Sequence, residues 1–149
     1  IGPKIAREFL ESQQVPAAII SHVEQIITNI SYKSSLSKEN GSRFSSLELQ
    51  IIQDADRLDA MGAIGIARCF NYGGFKNRPL YDPEILPNPN QSKEEYKKSK
   101  APTINHFYEK LLLLKDMMNT DYGRKMALER HNYMLDFLAQ FFDECDGKR

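Results

Sequence analysis

Apolar residues recur along this chain at intervals of three and four, the period of helices with one buried face. Ile5, Ala6, Phe9 and Leu10 form the first such stripe. Pro16 suits the first turn of a second helix, along which Ile19, Ile20, Val23, Ile26, Ile27 and Ile30 repeat. Residues 33–45 are rich in Ser, Lys, Asn and Gly, which predicts a surface loop. Ser45 and Glu48 have the spacing of a capping box, opening a helix that holds Ile51, Ile52, Ala55, Leu58 and Gly62. The small residues Gly62, Ala63, Gly65 and Ala67 continue it and let another helix approach closely, although the glycines weaken it.

Residues 71–102 break the pattern, because Gly73-Gly74 and five of the seven prolines fall there. A long irregular loop inside a compact domain is a candidate lid over a site, whereas its Lys/Glu/Ser run at 91–100 reads as solvated. Thr103 can then cap a helix whose Ile104, Phe107, Leu111, Leu114 and Met118 face inward. Thr120 can cap a last one carrying Ala127, Leu128, Met134, Leu135, Leu138, Phe141 and Phe142. Strand-like alternation is absent, so the expected fold is all-α, a single helical domain over residues 1–149 with a long loop at 71–102.

At 149 residues the chain can bury one core unaided. Twenty Lys and Arg balance 20 Asp and Glu, which argues against nucleic acid or a membrane surface as partner and leaves any anion site local. Cys69 and Cys145 form no C-x-x-C pair, so neither a zinc knuckle nor a disulfide framework is indicated, and a cytoplasmic location fits. No apolar run is long enough to span a bilayer. Ile1 is not Met, and a helical stripe begins almost at once, so further sequence is expected upstream.

The stretch from Gln53 to Asp59 puts Asp54, Asp56, Asp59 and Arg57 on a helix that must also supply core residues. At about 100° per residue, Asp56 falls between Ile52 and Ala60 on the apolar side, while Asp54 falls beside Gln50 near the polar edge. A carboxylate aimed into a bundle is costly unless it is paired or binds a cation. Asp56 is therefore expected to point inward, and a metal, an arginine partner or a helix cap would each explain it. Asp59 one turn on has an equal claim to be a surface partner of nearby basic residues.

The run IIQDADRLDAMGAIGIARCF, together with Ile104 to Leu112 and Thr120 to Arg130, resembles a branch of the HD-domain metal-dependent phosphohydrolases. The resemblance implies an HD helical bundle whose ligands are a His, a His-Asp pair and a distant Asp. It maps that Asp, in an Ala-Asp-Arg-Leu context, onto Asp56, with Asp54 as second choice. Neither His22, His106 nor His131 is followed by Asp, so the other ligands are expected upstream and the bundle is expected to lack its N-terminal helices. The implied function is a phosphohydrolase acting on nucleotides, nucleoside triphosphate to monophosphate and pyrophosphate included, with Mn²⁺ or Mg²⁺ as cofactor. Asp56 and Arg57 are its expected catalytic residues.

His106 and Lys110, spaced to share one helical face, match the family's H-F-x-x-K-L-L pattern and are expected to meet substrate phosphate, with Lys76 and Arg78 adding cations from the loop. Bare spacing allows an exposed polar stripe equally well. Expected partners are a nucleotide or other phosphorylated small molecule, with a second copy of the chain as a candidate. The competing function is a non-catalytic interaction or regulatory domain derived from the HD fold.

Overall fold

A computed structural model describes residues 1–30, 44–89 and 101–148. Most of the expected surface loop at 33–45 and the Lys/Glu/Ser run at 91–100 lie outside the described residues. Among the described residues are six α-helices, one 3-10 helix and no strand, so the all-α expectation holds. The α-helices are α1 (Gly2–Ser12), α2 (Ala17–Asn29), α3 (Leu47–Asp59), α4 (Gly62–Phe75), α5 (Asn105–Glu109) and α6 (Asp121–Cys145); the 3-10 helix is Leu111–Met117. None is long and apolar enough to cross a membrane. The chain forms two compact units, Ile1–Gln53 and Asp54–Arg149, divided within α3.

In the first unit, α1 and α2 make a helical hairpin. α1 ends in a left-handed residue, Gln14 with φ 58°. The Gln14 and Val15 amides donate to the Glu11 and Leu10 carbonyls at 3.0 and 3.1 Å, the paired bonds that close a helix C-terminus. Arg7 of α1 grips Glu24 of α2 with two guanidinium hydrogen bonds, one of 2.8 Å from Nε. Ile20 and Ile26 are buried, while Ile5, Phe9 and Ile19 are exposed. The Leu49 amide donates to Ser46 Oγ at 3.1 Å. The cap of α3 is thus Ser46, one residue later than the spacing suggested, because Ser46 directly precedes the first helical residue.

In the second unit, α6 packs along α4 and the 3-10 helix. Its interior holds Met61, Ile66, Ile104, Phe107, Leu111, Leu114, Met118, Ala127, Met134 and Leu138, so every residue expected to face inward from 104 to 118 does so. Phe70, Phe107, Phe137 and Phe141 form an aromatic cluster, with Phe107 stacked on Phe137 at 6.0 Å. Gly62 turns the chain from α3 into α4 with φ +69°, a conformation other residues adopt only with strain.

The irregular segment begins later than expected. α4 runs through Gly73-Gly74 to Phe75, because Gly73 serves close packing: a Cβ there would lie 2.1 Å from Thr103 Oγ1. Asn77 then takes a left-handed φ of 51°, and the amides of Asn77 and Arg78 close the helix on Gly74 and Gly73 at 3.0 and 2.9 Å. That closure fixes where Arg78 leaves α4.

Candidate functional site

The inward residues of α3 in the second unit are Asp54 and Arg57, at 3% and 8% exposure, and Met61 just beyond the helix is buried too, whereas Asp56 is exposed. This reverses the expected orientation of the two carboxylates. The expected phase rests on Ile52 and Ala60 as the apolar neighbours of Asp56, but Ile52 is 39% exposed and Ala60 only half-buried. What holds the actual phase is polar and distant in sequence. Asp54 Oδ1 accepts from the Asn119 amide at 2.8 Å and from Asn119 Nδ2 at 3.0 Å. Asp54 Oδ2 accepts from the Thr120 amide and hydroxyl, both at 2.8 Å. Burial pushes the Asp54 pKa up, but these donors together outweigh it and hold the carboxyl below its usual value.

Arg57 completes the knot. Its Nη1 donates to the Met117 carbonyl at 2.7 Å and lies 3.4 Å from Asp54 Oδ1. Thr120 caps α6 as expected, its hydroxyl accepting from the Gly123 amide at 3.0 Å. Gly123 must stay small, since a Cβ there would sit 2.4 Å from Asp54 Oδ2. Asp54 and Arg57 are thereby committed to interior bonds. Asp56 stands on the open side of α3, with no hydrogen bond or ion pair among the described residues.

The second unit contains a cavity of about 570 Å³ whose wall includes Arg68, Cys69, Arg78, Thr103, His106 and Lys110. Three of the four expected phosphate contacts, Arg78, His106 and Lys110, thus meet in one place. Lys76 is not part of that wall; its ammonium lies over the rings of Tyr72 and Phe75, 5.6 and 5.2 Å from their centroids. Lys110 sits at the break between α5 and the 3-10 helix, where its amide bonds the His106 carbonyl at 3.0 Å. His106 and Lys110 therefore remain neighbours although the continuous helix expected there is interrupted.

Arg68, Arg78 and Lys110 make the cavity wall cationic in a chain of zero net charge. Asp59 offsets part of this by pairing with Arg68, but that pair is largely exposed and weak. Burial first, then Lys110 and Arg78, push the His106 pKa down to about 4, so its imidazole is neutral at pH 7 and can donate one hydrogen bond and accept another. Burial raises the Cys69 thiol to about 11, against the pull of Arg78, and keeps it protonated. A volume of this size suits a small molecule, and clustered cations suit phosphate oxygens.

The sequence reading missed Arg68, Cys69 and Thr103. A signal existed: Gly65, Arg68, Cys69, Tyr72 and Gly73 share one face of α4, and all line the cavity. Small residues on that face were read as helix packing, and Thr103 as a cap. No side-chain cap bond is made at the start of α5, so Thr103 does not cap it.

No protein-family model matches the chain. The Bacillus subtilis protein YpgQ is 43% identical over 127 residues, 84% of this chain and 52% of YpgQ. The chain spans about half the length of the curated relatives it matches. Among solved structures, an HD-superfamily hydrolase from Bacillus thuringiensis is 42% identical with a TM-score of 0.74, over 97% of this chain and 63% of that one. YpgQ in complex with ADP gives a TM-score of 0.70 at 33% identity, over 97% of this chain and 62% of that one. The chain therefore has an HD-type helical fold, similar to that of an HD-superfamily hydrolase.

Proposed function

We propose that this chain forms the phosphate-holding part of a metal-dependent nucleotide phosphohydrolase, one that cleaves nucleoside triphosphates to monophosphate and pyrophosphate. The observation that carries the reading is the convergence of Arg68, Arg78, Lys110 and neutral His106 on one cavity. Fixed cations around phosphate oxygens neutralise charge on the bound nucleotide and on the charge that grows as a phosphoanhydride bond breaks. Support also comes from YpgQ, whose structure holds ADP.

Asp56 stands one turn before Ala60, itself part of the cavity wall, a rise of about 6 Å along a helix. The reading gives Asp56 one metal position. Asp54 drops out because its oxygens already accept four hydrogen bonds from Asn119 and Thr120 and a fifth from Arg57, and Arg57 becomes a positioning residue that holds the turn before α6. A catalytic divalent ion needs several protein ligands. No group of three or more His, Cys, Asp or Glu able to hold one occurs among the described residues, so they do not by themselves fit a Mn²⁺ or Mg²⁺ centre. The remaining ligands of the proposed enzyme belong to residues other than those described.

Calorimetric titration of the chain with ADP tests the cavity. Arg78→Ala and Lys110→Ala are each expected to weaken binding about tenfold, the worth of one charge-assisted contact, with Lys76→Ala near the parent value. Unchanged affinity in both cavity variants would remove the reading.

A further inference from the structure

Thr103 is 2% exposed, and its hydroxyl oxygen is fully buried with no hydrogen-bond partner among the described residues. The rest of the residue is occupied. Its amide donates to the Pro79 carbonyl at 2.9 Å, and its carbonyl accepts from the His106 amide at 3.2 Å and faces Cys69 Sγ at 3.8 Å. The hydroxyl is the one polar group of Thr103 left over, and the capping bond that would explain it is not made. A buried hydroxyl without a partner is costly, so the position has a use that the folded chain alone does not reveal.

Two features say what that use is. Thr103 is part of the wall of the cationic cavity, as are His106 and Lys110, three and seven residues further along the chain. Gly73, on the facing surface of α4, lets the hydroxyl side of Thr103 seat against that helix, since any other residue would set a Cβ 2.1 Å from the oxygen. A serine or threonine hydroxyl both donates and accepts, and among Arg68, Arg78 and Lys110, which only donate, a bound group must itself be rich in acceptors. Phosphate oxygens are such acceptors.

We propose that Thr103 is a specificity-determining residue of this cavity, its hydroxyl donating to an oxygen of a bound phosphate group. This rests on the phosphate reading of the cavity given above. The hydroxyl adds a directional contact to the cations, which act mainly as charges, and so favours a correctly seated phosphate over other anions. Removing it should therefore act oppositely on the empty and the filled protein. The empty protein loses an unpaired buried group and is not weakened, whereas the complex loses a hydrogen bond to a charged partner.

The test compares Thr103→Val, which keeps the shape, with Thr103→Ser, which keeps the hydroxyl, by calorimetric titration with ADP and with inorganic pyrophosphate and by thermal unfolding. Thr103→Val is expected to bind both ligands about tenfold more weakly with an unchanged or higher Tm, and Thr103→Ser to bind within about threefold of the parent. Parent-like affinity in Thr103→Val would overturn the proposal and leave the phosphate reading standing. So would a lower Tm with parent-like affinity, since the hydroxyl would then be bonded within the folded chain. Failure of the parent protein to bind either ligand would remove the phosphate reading, and this inference with it.

Discussion

Asp54 and Thr120 are 66 positions apart, yet one carboxylate oxygen of Asp54 accepts both the amide and the hydroxyl of Thr120 at 2.8 Å. Through this oxygen α3 anchors the start of α6, and through the other it holds Asn119. Asp54→Ala would leave Arg57 buried opposite an empty place and strip two amides of their acceptor. A loss of about 3 kcal/mol in urea unfolding is expected, because breaking one side of a buried charged pair is strongly destabilising. Asp56→Ala is expected to stay within about 0.5 kcal/mol of the parent. Equal losses in the two variants would refute the assignment of structural and open carboxylates.

Acid should weaken the fold in two stages. His106 is held near 4, below its ordinary 6.5, so as pH falls through that interval the unfolded chain takes up its proton first and the native state loses stability. His131 is also lowered by burial and, secondarily, by Lys115, against the pull of Asp116, and adds to this stage. Asp54 has a lowered pKa, so its contribution is complete above its ordinary 3.8 and disappears as pH falls below that. Melting temperature should therefore fall below pH 6.5 and again below about 4, and His106→Gln should flatten the upper stage. A melting temperature constant from pH 7 to pH 4.5 would contradict this.

Gly73 and Gly74 are adjacent in α4 and should respond oppositely to alanine. At Gly73 the added Cβ meets Thr103 Oγ1 at 2.1 Å, and a loss of about 2 kcal/mol is expected from overpacking. At Gly74 nothing lies within 4 Å, so alanine should stabilise by about 0.5 to 1 kcal/mol through helix propensity. Chemical denaturation of the two single variants decides the matter, and a stable Gly73→Ala would mean that the approach of α4 to Thr103 is looser than described.

Gln14 occupies a left-handed position that glycine adopts without penalty. Gln14→Gly is expected to stabilise the α1–α2 hairpin by about 1 kcal/mol, with no effect on ADP binding. A destabilised variant would show that the Gln14 side chain contributes more than its backbone conformation costs.

The helical class and most of the buried stripes were legible in the apolar period, since a residue such as Phe107 or Leu114 has no comfortable place outside. The phase of α3 was not. Periodicity treats Ile52 as core and Asp54 as surface, and the bonds that invert this come from residues 117–120, which no local pattern connects to Asp54. Arg78, His106 and Lys110 could be named singly, by charge or by resemblance, because each is a polar residue near a break. Their convergence with Arg68 and Thr103 depends on how α4 lies against the segment at 103–111, and that packing rests on a glycine read as a breaker.

The bonds of Asp54 and Arg57 also order events in time. They join positions 60 to 66 residues apart, so the closing loop must already be compact when they form. The α1–α2 hairpin needs no such closure, and helical hairpins assemble far faster than long-range contacts. The second half of α3 is therefore expected to dock late, after the turn at 117–120 has taken shape. Substitutions in its polar knot are then expected to speed unfolding far more than they slow folding.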